Sequence, residues 1–251
     1  MRILLANDDG IDAPGLAVLE TAARLVSDDL WIVAPDRKRS ASSHSITLHE
    51  PYSVTKVGER RYRCDGTPVD GVIAAMAWLL KDEQRPHLVL SGINDGLNVA
   101  EDVAYSGTLA IAREATFWNV PAIALSQAKG GEPFSPMAVD WLGQAIRGLW
   151  EHRSDWCLDG HWLSLNLPPK VPAPIRHATI GRDKIARDVD VLRQSDQTVH
   201  LRVRNGRSHQ PSADDETALI AAGCCTLVRL NWPEVRPLPA GLTIGTGPRQ
   251  W

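Results

Sequence analysis

Two adjacent carboxylates follow the first apolar run of the chain. Asp8 and Asp9 come directly after Ile3-Leu4-Leu5, a run with the length and composition of a buried strand. Neighbouring carboxylates at such a position repel each other and raise each other's pKa unless a cation lies between them. The pair therefore predicts a metal site. The alternative is a solvated turn in which an Asp caps the helix that begins near Pro14.

The residue types around this pair indicate which metal it would hold. Ser hydroxyls and Asn amides accompany Asp8 and Asp9 at the predicted strand ends, and no His or Cys adjoins the pair. Oxygen ligands favour a hard divalent ion over zinc. We therefore expect one Mg²⁺, Mn²⁺ or Ca²⁺ ion per subunit.

A second polar group precedes an Ala-rich helical run. The segment Tyr105-Ser106-Gly107-Thr108 stands immediately before Leu109. Hydroxyls and a Gly at a helix start can bind phosphate, because free backbone N–H groups and the positive end of the helix dipole point outward there. Ser106 could also serve only as the N-cap of that helix. The loop with Asn94 and Asn98 lies just upstream, which favours a phosphate site on the same rim.

A basic run and a hydroxyl-rich loop follow the second predicted strand. Arg37 and Arg39 could neutralise a phosphorylated substrate through forked contacts, or could belong to a solvated surface. The loop contains Ser40, Ser42, Ser43 and Ser45, and one of these hydroxyls could bind metal. His44 and His49 are suited to acid–base chemistry, although the sequence assigns them no role.

Five short apolar runs alternate with helical patterns and must position these groups. The runs are Ile3-Leu4-Leu5, Leu30-Trp31-Ile32-Val33, Leu88-Val89-Leu90, Ala122-Ile123-Ala124-Leu125 and Trp162-Leu163-Ser164-Leu165. This alternation predicts a parallel sheet covered by helices on both faces. Ligands of such sheets bind beyond the carboxyl ends of the strands. Polar residues follow every run, so we expect a site at that rim, with the part around Asp8 built from the first half of the chain alone.

The second part of the chain has a different pattern. Prolines cluster between Pro168 and Pro174. The elements predicted beyond them are a strand with alternating Val199, Leu201 and Val203, a helix from Asp214 to about Ala222, and a strand at Cys225–Val228. We therefore predict a single domain over 1–251, with an α/β core at about 1–168 and a β-rich extension at about 169–251.

Composition excludes several classes of protein. Of the 251 residues 43% are hydrophobic and 23% charged, and no segment approaches the ~18 uninterrupted apolar residues of a membrane helix. Acidic residues interrupt the N-terminus before a signal-peptide core could form, so we expect a cytoplasmic protein. The net charge of −3 gives no general attraction to a nucleic-acid polymer. The four cysteines fit neither a CxxC metal pattern nor a disulfide framework and are expected to be buried thiols.

Several short motifs occur in a fixed order across the first half of the chain. They are Asn7-Asp8-Asp9-Gly10, Ala13-Pro14-Gly15, Ala34-Pro35-Asp36-Arg37 with Arg39-Ser40, Gly66-Thr67-Pro68, Ser91-Gly92-Ile93-Asn94 with Gly96 and Asn98, and Tyr105-Ser106-Gly107-Thr108. In this combination the chain resembles the SurE family of stationary-phase survival proteins. The resemblance implies metal-dependent hydrolysis of nucleoside 5′- and 3′-monophosphates by a Rossmann-like three-layer α/β/α protein.

The resemblance also implies particular ligands and an assembly. The family's metal ligands correspond to Asp8, Asp9, Ser40 and Asn94 in this sequence. Family members form homodimers or homotetramers in which the C-terminal extension is exchanged between subunits. We therefore expect such an assembly here, with a small nucleotide as the other partner.

The predicted reaction is direct attack of a metal-activated water on phosphorus. The predicted catalytic residues are Asp8, Asp9 and Asn98. Asn98 and the segment Ser106-Gly107-Thr108 would bind the phosphate while its charge rearranges. Two alternatives stay open: Asp8 as a direct nucleophile, and a non-catalytic protein that binds a nucleotide or phosphate.

Overall fold

The computed structural model describes residues 1–182, 186–205, 212 and 214–232. The strands are β1 (Arg2–Ala6), β2 (Asp29–Pro35), β3 (Val54–Gly58), β4 (Arg61–Cys64), β5 (Leu88–Asp95), β6 (Ala122–Gln127), β7 (His161–Leu167), β8 (Ile175–His177), β9 (Ala186–Gln194), β10 (Val199–Asn205) and β11 (Cys225–Asn231). The helices are α1 (Pro14–Arg24), α2 (Pro68–Ala74), α3 (Asp102–Tyr105), α4 (Gly107–Phe117), α5 (Pro136–Glu151), α6 (Arg153–Trp156) and α7 (Glu216–Ala221), and a π-helical segment, Ala75–Leu79, extends α2. All five strands predicted from apolar runs are confirmed.

One nine-stranded sheet organises the chain, in the order β3-β4-β2-β1-β5-β6-β7-β11-β8. The six strands from β4 to β7 in this order run parallel to one another. Antiparallel pairing occurs toward the two ends of the sheet, between β3 and β4 and between β7 and β11. The parallel part confirms the predicted Rossmann-like arrangement, and it brings the carboxyl ends of its strands to one rim.

Helices cover both faces of this sheet. Alternation along β1 directs Ile3 and Leu5 into one buried cluster and Leu4 into another. The first cluster includes Leu16 of α1 and Leu142 of α5, and the second includes residues of α2 and α4. Both clusters consist of buried and mostly aliphatic side chains, which explains the continuous apolar runs in the sequence. The three-layer α/β/α architecture is confirmed.

A capping box fixes the loop that follows β2. The Thr67 side chain accepts a hydrogen bond from the Asp70 backbone N–H, and the Asp70 carboxylate accepts one from the backbone N–H of Thr67. The same carboxylate accepts hydrogen bonds from the backbone N–H and the hydroxyl of Thr47. The far end of the serine-rich loop is thereby attached to the start of α2.

The predicted extension contributes to two sheets. Strands β8 and β11 pair within the main sheet, whereas β9 and β10 form a separate antiparallel hairpin. The predicted last helix and last strand are present as α7 and β11, whereas residues 183–185, 206–211, 213 and 233–251 lie outside the described part. The division of one domain into a core and an extension at about residue 168 stays a prediction.

Two smaller expectations concern membranes and cysteines. Among the helices described, none combines the length and the apolar character needed to cross a bilayer. All four cysteines are free thiols; Cys64 and Cys225 are buried as predicted, whereas Cys157 and Cys224 are only half-buried. Burial raises the pKa of the Cys64 thiol to about 11, so this group stays protonated at neutral pH.

Candidate functional site

A cavity of about 720 Å³ opens at the rim where the parallel strands end. Its lining comes from the loops after β1, β2, β5 and β6, from the start of α4 and from the extension. The lining residues are Asp8, Lys38, Ser40, Ala41, Asn94, Asp95, Gly96, Leu97, Asn98, Val99, Asp102, Tyr105, Ser106, Ala128, Lys129, Val203 and Thr217. The volume is in the usual range for a small-molecule site.

Asp8 is a buried carboxylate at the base of this cavity. Its side chain follows β1, and only 6% of the residue is exposed. The Thr108 hydroxyl donates a hydrogen bond of 2.5 Å to Asp8 Oδ1. Burial raises the pKa of Asp8 to about 6, the Thr108 hydrogen bond opposes that rise, and the neighbouring Asp9 charge adds to it. Asp8 is therefore mostly ionised at neutral pH and becomes protonated below about pH 6.

Asp9 is held by two groups from neighbouring loops. The Lys38 ammonium lies 2.5 Å from Asp9 Oδ1. The backbone N–H of Asp95 donates to Asp9 Oδ2 at 2.9 Å. The hydrogen bond to Asp9 raises the pKa of Lys38, so the ammonium keeps its charge. The second carboxylate of the pair is thus fixed between the loops after β2 and β5.

The start of α4 packs directly against Asp8. A Cβ atom at Gly107 would lie 2.9 Å from Asp8 Cβ and 2.8 Å from Ser42 Oγ, closer than non-bonded atoms approach. Glycine at this position therefore lets the first turn of the helix reach the carboxylate. Ser42 Oγ is buried there and has no hydrogen-bond partner among the described residues. An unused hydroxyl beside a carboxylate is an oxygen group available to a cation.

The set of groups around the pair suits a hard metal ion. No group of three or more His, Cys, Asp or Glu side chains that could hold a metal occurs in the described part of the chain. A metal on Asp8 and Asp9 would therefore complete its shell with hydroxyl, amide or water oxygens. Such a shell is typical of Mg²⁺, Mn²⁺ and Ca²⁺. The residues present fit the predicted ion.

Asn98 is fixed by a buried network that reaches the extension. Its Nδ2 donates to Ser126 Oγ at 2.7 Å, and its backbone N–H donates to Asn166 Oδ1 at 2.9 Å. Asn166 Nδ2 in turn donates to Glu216 Oε1 at 3.2 Å, and Glu216 Oε2 accepts from the backbone N–H of Ala100 at 3.1 Å. The loop after β5 is thereby bound to β6, β7 and α7.

Glu216 is a buried acid in that network. Burial raises the pKa of Glu216 to about 7, the hydrogen bond from the Ala100 N–H opposes the rise, and the charges of Asp102 and Asp215 add to it. Glu216 is therefore close to half ionised at neutral pH.

A family model described as "Survival protein SurE" matches residues 3–188 of the chain. The chain belongs to the SurE family. A "5'-nucleotidase SurE" from Brucella suis (strain ATCC 23445 / NCTC 10510) is 38% identical over 244 residues, which are 92% of this chain and 92% of that protein.

Two further relatives agree with this assignment. A "5'-nucleotidase SurE" from Paramagnetospirillum magneticum (strain ATCC 700264 / AMB-1) is 55% identical over 151 residues, covering 59% of this chain and 58% of that relative. The crystal structure of the SurE protein from Aquifex aeolicus superimposes with a TM-score of 0.74 at 26% identity, covering 94% of this chain and 95% of that one. The predicted family and fold are confirmed.

The residues that the SurE resemblance assigns to metal binding fall in three environments. Asp8 is buried and Asp9 nearly so, with 8% of its side chain exposed. Ser40 is exposed at the cavity wall, and Asn94 is half-buried with its Nδ2 donating to the Gly96 carbonyl at 2.8 Å. The structure thus brings Ser40, Asn94 and Asp8 to one cavity and adds Ser42 next to Asp8. Their action as ligands stays a prediction.

The predicted phosphate-binding segment is at the expected helix start. Ser106 is the N-cap of α4 and accepts a hydrogen bond from the Leu109 N–H at 3.1 Å, as the capping alternative requires. Thr108 is fully buried and donates to Asp8. In this arrangement the Thr108 hydroxyl is hydrogen-bonded to the Asp8 carboxylate, so a bound phosphate would contact the backbone N–H groups of the first turn of α4 instead.

The basic run places its lysine, and neither of its arginines, in the cavity lining. Arg37 and Arg39 do not line the cavity; both contact Asp36, and Arg39 also donates to the Asp65 carbonyl. The lysine between them points to the cavity instead. Substrate binding by the two arginines stays a prediction.

The two histidines lie away from the cavity lining. His44 Nε2 is 2.8 Å from Glu114 Oε2, while His44 Nδ1 accepts from Arg113 Nε at 2.6 Å and the ring stacks on Phe117. His49 is exposed. His44 thus connects the serine-rich loop to α4 through Glu114 and Arg113, away from the cavity.

Sequence reasoning missed several residues of this site. Lys129 and Val203 line the cavity, and Glu216 supports it from behind. The cavity thus extends beyond the first half of the chain, since β10 and α7 both reach it, whereas Thr108 and Gly107 beside Asp8 belong to the first half as expected. No local pattern marks these residues; the buried Glu216 follows Asp215, and such pairs are common at helix starts.

Proposed function

We propose that this chain is a phosphomonoesterase that hydrolyses nucleoside monophosphates to nucleoside and phosphate. The observation that carries the proposal is the carboxylate pair Asp8 and Asp9, placed where helix α4 begins and at a cavity large enough for a nucleotide. Membership of the SurE family supports it, because full-length relatives are named 5'-nucleotidase.

Asp8 and Asp9 are the proposed anchors of one divalent ion, with oxygens from Asn94 and from Ser40 or Ser42. Bound there, a divalent ion supplies positive charge to the phosphoryl oxygens and lowers the pKa of a water molecule. Thr108 holds the Asp8 carboxylate in place through its hydrogen bond. The Asp95 N–H does the same for Asp9.

The chain positions the phosphate with its own groups. The start of α4 lies beside Asp8, and free backbone N–H groups in the first turn of a helix would complement a phosphate oxygen there. Asn98 lies in the same cavity on a loop fixed by Ser126 and Asn166, so its amide is preorganised. Hydrogen-bond donors that are already held in place do not have to reorient as negative charge moves toward the leaving oxygen, so they stabilise the transition state without that cost.

The extension is proposed to pack on a second copy of this chain. Val189, Val191, Leu201 and Val203 are cross-strand partners on one face of the β9–β10 hairpin and are each 49–59% exposed. An apolar face of this kind is stabilised by a partner surface, and an exchanged hairpin in a homodimer or homotetramer supplies one.

Phosphate release separates the enzyme from the non-catalytic alternative. The purified chain is incubated with a nucleoside 5′-monophosphate and Mn²⁺, and inorganic phosphate is measured with and without EDTA. We expect release that EDTA abolishes and added Mn²⁺ restores. Nucleotide binding without any phosphate release would instead identify a binding protein, and release insensitive to EDTA would reject the metal site.

A further inference from the structure

The Lys38 ammonium makes a direct contact with the carboxylate pair. Its Nζ lies 2.5 Å from Asp9 Oδ1, although half of the lysine side chain remains exposed. The carboxylate it contacts is nearly buried, with 8% of the side chain exposed. A flexible cation therefore enters from solvent to pair with a fixed anion.

No other cation is recorded on this pair in the described residues. The contacts of Asp8 are the Thr108 hydroxyl and the Arg39 backbone N–H, whose acceptor is the Asp8 carbonyl. Asp9 has the Asp95 N–H in addition to Lys38. Two adjacent carboxylates with low exposure repel each other, so the ammonium offsets part of that repulsion.

We infer that Lys38 is a tethered counter-ion that competes with the divalent ion for Asp9 and so sets the affinity of this chain for its metal. This inference rests on the proposed metal site. A divalent ion bound to both carboxylates would lie close to the ammonium on Asp9 Oδ1, and the repulsion between the two cations favours displacement of the ammonium. Lys38 also lines the cavity, so the released ammonium stays within reach of a substrate phosphate.

A lysine elsewhere in the cavity provides a matched control. Lys129 lines the same cavity, and its side chain passes over Gly96, where a Cβ would lie 3.3 Å from Lys129 Cε. No carboxylate contact of Lys129 is recorded among the described residues. Removal of the Lys129 charge changes the cavity potential without freeing Asp9.

The experiment measures Mn²⁺ binding to metal-stripped protein by calorimetry, together with thermal unfolding with and without Mn²⁺. We expect Lys38→Met to bind Mn²⁺ about tenfold more tightly than the original chain and Lys129→Met to stay within about twofold of it. Lys38→Arg, which keeps the charge, should also stay within about twofold. Without metal, Lys38→Met should unfold at a lower temperature, because Asp9 is left unpaired. Its stabilisation by Mn²⁺ should be correspondingly larger.

Each other outcome overturns a distinct part of the argument. An unchanged Mn²⁺ affinity in Lys38→Met rejects the counter-ion role while leaving the metal site intact. An equal gain in Mn²⁺ affinity in Lys129→Met also rejects the counter-ion role, because the loss of any positive charge from the cavity would then explain the effect. Mn²⁺ binding that survives Asp9→Asn without change rejects the proposed metal site, and the counter-ion role with it.

Discussion

The cavity rim and the β9–β10 hairpin differ in which side chains they bury: the rim buries polar groups, and the hairpin exposes apolar ones. At the rim, polar groups such as Asp8 and Asn98 are buried and fixed by hydrogen bonds from several elements. In the hairpin, apolar residues such as Val191 and Leu201 are more than half exposed. Asp8 and Asn98 have hydrogen-bond partners within one subunit, whereas the hairpin exposes an apolar face.

We therefore expect the rim to determine metal binding and turnover and the hairpin to determine oligomeric state, with some coupling between the two. The fixed carboxylates belong to the α/β core, and changes there should act on metal binding and turnover. The hairpin should act on oligomeric state. Val203, Glu216 and Thr217 are points at which the extension reaches the cavity or its supporting network, so they test how far metal binding and assembly are coupled.

The largest effect is expected from Asp9→Asn. The change keeps the side-chain shape and removes one of the two charges that would hold the metal, so phosphatase turnover should fall by about a thousandfold or more. Steady-state phosphate release at limiting Mn²⁺ measures this, and circular dichroism checks the fold. Asp12→Asn, the same change at an exposed position, should keep full activity. Normal turnover of Asp9→Asn would place the chemistry elsewhere.

Thr108→Val should have a smaller effect that depends on pH. The Thr108 hydrogen bond keeps the pKa of Asp8 from rising further than about 6, so its loss should raise that pKa by about one unit. Asp8 must be ionised to bind metal, so Mn²⁺ affinity at pH 6 should fall by about fivefold while the loss at pH 8 is smaller. Calorimetric titration at both pH values measures this.

Ser106→Ala is the matched control for Thr108. It removes an N-cap hydroxyl from the same helix and should cost about 1 kcal/mol of stability without moving the pH dependence. If Thr108→Val instead raises KM equally at both pH values, the Thr108 hydroxyl contacts the substrate phosphate directly.

Glu216→Gln should change how stability depends on pH. The pKa of Glu216 is raised to about 7 in the folded chain, so its protonated form is favoured by folding. Its contribution is present below about pH 4.5 and is lost as the pH rises through 7, on the order of 3 kcal/mol in total. Urea unfolding from pH 5 to pH 8 should therefore show a shallower decline in the variant. The exposed Asp140→Asn variant should keep the original slope.

The smallest effect on the rim is expected from the double change Val191→Asp and Leu201→Asp. These cross-strand partners lie on the apolar face of the hairpin, so the charges should convert the proposed oligomer to a monomer. Metal affinity should stay within about twofold, because neither residue lines the cavity. Light scattering and Mn²⁺ titration measure the two properties.

His200→Asp is a control for the assembly prediction, since it places charge on the opposite face of the hairpin and should leave the oligomer intact. A monomeric original chain at micromolar concentration would contradict the proposed exchange. A large loss of metal affinity in the double variant would show that the hairpin belongs to the rim.

The sequence by itself determined the α/β core and the location of its polar rim. Apolar runs of strand length at regular intervals specify a parallel sheet, because a strand buried on both faces must be apolar throughout. The residue types that follow these runs predicted a metal site at the carboxylate pair and a phosphate site at the start of α4, and the family resemblance implied the same residues. These features are local in sequence, so a single chain is enough to find them.

Only the tertiary structure decided which neighbours each of these groups has. The hydrogen bond between Thr108 and Asp8 joins residues 100 positions apart in the sequence, and the one between Ala100 and Glu216 joins residues 116 positions apart. The structure also decided that Lys38, and neither Arg37 nor Arg39, lines the cavity, because this depends on the conformation of the loop after β2. Such contacts join residues far apart in the sequence, and no periodicity records them, since they arise only when packed elements bring separate loops to one rim.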